Sequence, residues 1–454
     1  MTPVARRTLR APVSRPLRLA LLVALRLAAM AFAVTPTSDA EFYFSRAASL
    51  AAGLGYLAND GHATAYWPPG WPMALSLAFR LGGASIWTVG LVNTAAAALS
   101  GWLLLDLGRQ VTGSESAARL ALLGYALYPN AVLYAPLALT EVFYTLLLLA
   151  SCWLLARRGA LRTLAAGVVL GFATLVKAQT LVVVPLVLGI ALLRERVAAA
   201  RLGSALGRGL AVLALAGAVV LPWSLRNGEV LGRFVAVSTN GGITLLTGNN
   251  DSARGGFTPE DPVVRALDAR RDLTELTYDD EARRLGLAWI KAHPLRFVGL
   301  MPLKLARLWV TDGEGVWAYE TGAKRYSAAL FLAIRAANQA LYWAVLVLAL
   351  CAVPLTLQAR RKAGLGAIDW WCLPYAIAAY PSAIALVFSG QSRFHFPAMP
   401  FLMMSAASAL VFWLEQRARR RHRRQRDLLR PDDERPRPRA RPDQVDLHQR
   451  RWPA

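Results

Sequence analysis

The sequence predicts an all-α polytopic membrane protein, a bundle of about ten transmembrane helices. Three observations predict it. Apolar residues make up 56% of the 454 residues and charged ones only 17%, against about 25% charged in a soluble globular chain. The apolar residues gather in runs close to the ~20 residues that a helix needs to cross a bilayer. Lys and Arg number 51 against 28 Asp and Glu, a formal charge of +23, and the basic residues cluster between the runs. These facts exclude a disordered chain, a secreted disulfide scaffold and an ordinary soluble enzyme.

Residues 17–35, 84–107, 116–135, 137–156, 209–224, 328–357, 367–388 and 397–414 each read as one crossing. The run 162–193 is too long for one, and Lys177 and Gln179 interrupt it, so it reads as two helices turning there. Arg6, Arg7, Arg10 and Arg15 flank the first run as in a signal peptide, but without a convincing small-x-small site an uncleaved helix is expected. With the N-terminus in the cytoplasm, the even-numbered helices end near Arg109/Arg119, Arg157/Arg158/Arg162, Arg194/Arg196/Arg201, Arg360/Arg361/Lys362 and the basic tail. Every short basic loop then falls on one side, as the positive-inside rule requires. Ten crossings put both termini inside the cell, in the cytoplasmic (inner) membrane.

The expected organisation is a basic N-terminus, 1–16, and an N-terminal membrane module, 17–224, whose first outward loop is 36–83. A long outward loop, 225–327, C-terminal membrane helices, 328–415, and a tail, 416–454, follow. The tail holds 14 Arg and six acids with several prolines. It is expected to be disordered and drawn to anionic membrane lipids rather than to nucleic acid. Cys152, Cys351 and Cys372 lie in apolar runs without CxxC spacing and read as core residues.

The outward loops carry the chemistry-bearing residues. Ser38-Asp39-Ala40-Glu41 has a capping-box pattern, and an amphipathic segment follows to Gly53–Gly55. Asp39 reads either as a first-turn acid favoured by the helix dipole or as a general base at the membrane face; Glu41 reads as its cap partner. Tyr66-Trp67-Pro68-Pro69-Gly70-Trp71-Pro72 blocks regular helix, and 71–81 is expected to lie along the outer surface. Glu141 opens the fourth span, where an ionisable group either complements a helix N-terminus or faces a cavity. Lys177 either snorkels to the interface or awaits a phosphate. In the long loop, 233–247 alternates about Asn240-Gly241, a hairpin signal that gives this region a small mixed α/β character. Residues 277–291 and 295–310 read as helices, the second interfacial. Its 14 basic and 13 acidic residues make the loop no general polyanion trap. Near the end, Arg393 can fork onto phosphate oxygens, and His395 either assists by hydrogen bonding or is a solvated interfacial residue.

At these residues the chain resembles the GT-C polytopic glycosyltransferases, in the branch of the protein O-mannosyltransferases and the lipid A aminoarabinose transferase. Asp39-Ala40-Glu41-Phe42-Tyr43 is similar to that family's acidic first-loop motif. Pro68-Pro69-Gly70-Trp71-Pro72 and Leu91-Val92-Asn93 are similar to its proline-glycine element and the span after it. Pro222-Trp223-Ser224-Leu225-Arg226-Asn227, with Gly241-Gly242 and Gly248-Asn249, resembles the start of the large outward loop. Arg393-Phe394-His395-Phe396-Pro397-Ala398-Met399-Pro400 resembles the late arginine-proline segment.

The resemblance implies a polyprenyl-phosphate-linked sugar as donor and a lipid, glycan or protein hydroxyl as acceptor. Asp39 would accept the hydroxyl proton, general-base action contributing typically 10²–10⁴-fold. Lys177, Arg393 and His395 would meet the donor phosphate. Glu41, Glu141, Gln179, Arg226 and Asn227 would position substrate, with Arg226 and Asn227 alternatively anchoring the loop. Some relatives bind a divalent cation; Asp39 and Glu41 are too few to establish one here. The rival reading is a multi-span transporter or lipid flippase, which would favour charges at mid-membrane and internal repeats.

Overall fold

The computed structural model describes residues 15–32, 34–195, 199–322 and 327–428. The described residues are almost entirely helical, with one isolated antiparallel bridge, Leu57 to Ala63. The chain divides into two units, 1–409 and 410–454.

The elements in order are α1 (Arg15–Ala29), α2 (Asp39–Ala51), α3 (Gly70–Gly82), α4 (Ile86–Thr112), α5 (Glu115–Leu127), α6 (Pro129–Leu133), α7 (Glu141–Leu155), α8 (Ala160–Val176) and α9 (Val183–Glu195). They continue with α10 (Ala199–Leu231), α11 (Gly241–Gly248), α12 (Pro262–Asp268), α13 (Glu275–Ala292), α14 (Pro294–Trp309), α15 (Glu314–Gly322), α16 (Ala328–Lys362), α17 (Leu373–Val387) and α18 (Met399–Leu428). Among the described residues, five helical stretches are long and apolar enough to cross a membrane: Ile86–Thr112, Gly203–Leu231, Ala328–Lys362, Trp370–Val387 and Ser392–His422. The other five expected spans form helices α1, α5, α7, α8 and α9, of 13 to 17 residues. A 15-residue helix is about 22 Å long, short of a ~30 Å hydrocarbon core.

Local chemistry explains the boundaries. Ser85 and Ser114 cap α4 and α5 by accepting from Thr88 and Ala117 amides. Pro129 ends the expected third span at Leu127 and opens α6. The expected turn at Lys177 is present: α8 ends there and a 3-10 turn, Ala178–Val182, leads into α9. Gly167 and Gly171, a small-xxx-small pair, let α8 approach α10, where an added Cβ at Gly171 would lie 2.8 Å from the Ala216 carbonyl oxygen.

Three expectations are corrected. Ser38 makes no side-chain cap; its backbone sits at φ 53°, so its hydroxyl does not meet the amides of α2 and the capping box fails. The hairpin about Asn240-Gly241 is instead α11, and the long loop has no strand among its described residues. Ile243 and Leu246, three residues apart, pack with Val264, Leu267 and Ala282, and Asp279 on α13 accepts from the Gly242 amide at 2.5 Å; this tertiary seat fits a helix face. The expected disordered tail is helical from Gln416 to Leu428, as the end of α18; the rest of it, and the N-terminal arginines Arg6, Arg7 and Arg10, lie outside the described residues.

Candidate active site

Asp39 is the first residue of α2, and Ser38 before it is the one non-glycine with positive φ among the described residues. Such an angle costs of order 1–3 kcal/mol and persists where surrounding structure imposes it. What holds Asp39 is Arg393, 354 residues away in sequence, whose Nη1 donates to Oδ2 at 2.6 Å. The pair is mostly buried, with side chains 22% and 18% exposed. Arg393 lies in a 3-10 segment, Ser392–Ala398, that runs into α18.

Lys177 and Glu141 form a second ion pair, at 3.4 Å. Lys177 leaves the end of α8 in extended backbone, with its ammonium over the rings of Tyr144 and Phe394 at 5.6 and 5.5 Å. Phe394 also faces the Arg393 guanidinium, 5.3 Å from its ring centroid, so one ring joins the two cations. Glu141 is 2% exposed and its Oε2 has no hydrogen-bond partner.

The proline-glycine and asparagine motifs build this place from below. A Cβ on Gly70 would lie 2.8 Å from the Leu175 carbonyl carbon, so glycine lets α3 rest on the end of α8 just before Lys177. Trp71 Nε1 donates to the Ala138 carbonyl at 3.1 Å. Asn93 Nδ2 donates to the carbonyls of Ala135 and Leu137 at 3.0 and 2.9 Å. Both fix the link that delivers Glu141.

His395 is not a solvated interfacial residue. It is fully buried between Trp309 and Tyr342, stacked at 5.2 and 4.9 Å. Nδ1 meets the Leu308 carbonyl and Nε2 meets Asp312 Oδ1 at 3.1 Å. Asp312 also accepts from Tyr128 at 2.5 Å, Asn130 at 2.6 Å and Asn338 at 2.8 Å. A buried carboxylate is tolerated when its lone pairs are filled in this way. With both ring nitrogens engaged, His395 braces the Arg393 segment.

The remaining sequence candidates stand elsewhere. Glu41 is exposed, and residues two apart on a helix do not share a face, so Asp39 and Glu41 do not converge on a cation. No group of three metal-ligating side chains occurs among the described residues. Gln179 is half-buried in the turn after Lys177. Arg226 donates to the Thr64 and Tyr56 carbonyls at 2.7 and 2.9 Å, and Asn227 to the Val235 carbonyl at 3.0 Å. They tie the first loop to the end of α10, the anchoring alternative. Glu275 adds to that tie by accepting from the Thr64 hydroxyl, the Ala65 amide and Thr239.

Sequence reasoning missed Tyr43, Tyr134, Asp312 and Glu314. Tyr43 lies one turn after Asp39, and burial, with Asp39 adding to it, pushes its hydroxyl well above the usual tyrosine range. Burial likewise pushes the Glu314 carboxyl up; Arg393 pulls it down, while Glu141 and Asp39 push it further up. Glu314 therefore belongs to the same electrostatic neighbourhood. The acid-glycine run Asp312-Gly313-Glu314-Gly315 was the signal available for it.

The arrangement offers a carboxylate, two cations and a buried acid at one point of a helical bundle. Residues 67–223 match the family of dolichyl-phosphate-mannose-protein mannosyltransferases. The oligosaccharyltransferase AglB of Archaeoglobus fulgidus, in complex with an inhibitory peptide and a dolichol-phosphate, superposes with a TM-score of 0.51 at 13% identity. This chain shares the helical fold of the matched part of AglB. The AglB match covers 88% of this chain and 50% of AglB, so the chain spans about half the length of that relative. The apo form of the same enzyme gives a TM-score of 0.52 at 12% identity, over 89% and 51% of the two chains. ArnT from Cupriavidus metallidurans bound to undecaprenyl phosphate gives 0.43 at 13% identity, over 87% and 77%. No curated protein matches the sequence. The likeness to AglB lies in the arrangement of the helices, and the chain is a multi-pass helical protein.

Proposed function

We propose that this chain is an integral membrane glycosyltransferase. It moves a sugar from a polyprenyl-phosphate donor to a hydroxyl of a lipid, glycan or protein at the outer face of the cytoplasmic membrane, with both termini inside. The single observation that carries the reading is the bond between Asp39 and Arg393. It joins the two groups that the reaction needs, a proton acceptor and a phosphate ligand, from opposite ends of the chain. The family match over 67–223 and the dolichol-phosphate held by AglB support a lipid-linked donor.

The acceptor oxygen attacks the anomeric carbon, and the bond from that carbon to the phosphate oxygen breaks. Polyprenyl phosphate departs with the electron pair, and the hydroxyl proton passes to Asp39. A single displacement inverts the anomeric centre. In the resting site Arg393 holds Asp39, and the Oδ2 that meets the guanidinium is engaged. The donor phosphate competes for the guanidinium, whose fork suits phosphate oxygens, and loosens its hold on Asp39. Lys177 serves from the other side, its 3.4 Å contact with Glu141 being long for a charged hydrogen bond. At about 4 Å and an effective dielectric near 20, each cation contributes a Coulomb attraction of roughly 4 kcal/mol before desolvation. His395 positions Arg393 and does not touch the phosphate.

The test is reconstitution in liposomes with radiolabelled polyprenyl-phosphoryl sugars and an extract of envelope lipids and glycans. Label in an acceptor, with polyprenyl phosphate released, is the expected result. Movement of intact donor across the bilayer without transfer would establish the flippase instead.

A further inference from the structure

Three buried polar atoms around the ion pairs have no hydrogen-bond partner: Glu141 Oε2, Tyr134 Oη and Arg393 Nε. Glu141 and Tyr134 are 2% and 0% exposed. Leaving such groups unpaired costs about 1–3 kcal/mol each, and two or three in one place point to a ligand that pairs them. They share one place. The Tyr134 ring packs on Phe396, three residues after Arg393; the Phe394 ring lies beside both the Arg393 guanidinium and the Lys177 ammonium, and Lys177 contacts Glu141 at 3.4 Å.

The frame that aims Tyr134 is well made. Its ring packs on Phe396 at 4.6 Å, within the Arg393 segment. Gly315 also lies against the ring, where a Cβ would lie 3.1 Å from Tyr134 Cδ2 and 2.8 Å from Asn130 Oδ1. The Gly315 amide donates to Asn130 Oδ1 at 2.9 Å, and Asn130 is held by Asp312. The unsatisfied set contains a carboxylate acceptor, a phenol that both donates and accepts, and a guanidinium N–H donor. A free phosphate would meet the Glu141 charge. A group rich in hydroxyls, which offers donors and acceptors together, satisfies all three.

We propose that Tyr134, Glu141 and the Nε face of Arg393 form the subsite for the hydroxyls of the transferred sugar, with Tyr134 as a specificity residue. This rests on the lipid-linked donor reading above. Arg393 then stands at the joint between phosphate and sugar, Nη1 toward Asp39 and Nε toward the ring.

The experiment compares wild type with Tyr134→Phe in detergent. It measures affinity for polyprenyl phosphate alone and for a panel of polyprenyl-phosphoryl hexoses and pentoses, and the melting temperature without ligand. The variant keeps the ring and loses only an unpartnered hydroxyl, so its melting temperature should equal or exceed that of wild type. Its affinity for polyprenyl phosphate should be unchanged. Its affinity for the sugar-bearing donor that wild type prefers should fall about ten- to a hundredfold. Equal loss for both lipids, no loss for either, or a panel in which no sugar improves wild-type binding over polyprenyl phosphate overturns the subsite. A wild type that binds no polyprenyl phosphate at all overturns instead the donor reading beneath it.

Discussion

At the scale of residues, Asp39 and Arg393 meet only because α2 and the segment before α18 fold together. Asp39→Asn should therefore separate two roles. The amide still accepts a hydrogen bond from Arg393 but takes no proton, so transfer should fall by about 10²–10⁴-fold while thermal stability is largely kept. Arg393→Lys should lose the fork, and a single-turnover assay should show at least a tenfold drop. A double variant should be less than additive, because both residues act on one bond; full additivity in the assay would mean that they act apart. These ionisable residues were legible in the sequence because a charge in an apolar chain needs a reason. Glu141 and Lys177 were legible on the same ground, though not as partners. Tyr134 and Tyr43 were not legible, since an aromatic residue in an apolar run looks like core until its hydroxyl is seen among charges. Whether His395 is buried or solvated was not legible, because exposure depends on packing from α14 and α16, which no local pattern carries.

At the scale of elements, short motifs act by letting helices touch. Gly70→Val should push α3 off the Leu175 backbone and the Val176 side chain and shift Lys177. A core overpacking of this kind costs typically 1–3 kcal/mol, visible as a lower melting temperature with weaker donor binding. Lys304 on α14 tests another contact. It was expected on an interfacial face, but it is fully buried and donates to Asn249 Oδ1 at 2.7 Å and to the Leu386 and Val387 carbonyls at the end of α17. Burial lowers its pKa to about 8 from 10.5. The folded state then binds fewer protons than the unfolded state between about pH 8 and 10.5, so this group makes stability rise with pH across that window. Lys304→Met should be less stable at neutral pH, with the carbonyls unpaired, and should lose that rise; melting curves from pH 7 to 10 measure both. Helix α11 was hidden for a related reason. Asn240-Gly241 favours a turn locally, while the seat of α11 on α13 is fixed by Asp279, 37 residues after Gly242.

At the scale of the whole molecule, the helical class was legible from apolar run length alone. The number of crossings was less so, because Pro129 and the late start of α7 at Glu141 shorten helices that composition would extend. Sidedness is open to labelling. In a chain with Cys152, Cys351 and Cys372 replaced, a cysteine at exposed Asn59 should react with a membrane-impermeant maleimide from outside whole cells. One at exposed Ala363 should react only after permeabilisation; the same accessibility for both would remove the proposed topology. The measurement that most directly tests the central claim is the rate of polyprenyl phosphate release by Asp39→Asn beside its donor affinity. The account predicts donor affinity at or above that of wild type, because a neutral amide competes less with the phosphate for Arg393, with a rate at least about a hundredfold lower. A variant that releases polyprenyl phosphate at the wild-type rate would contradict it.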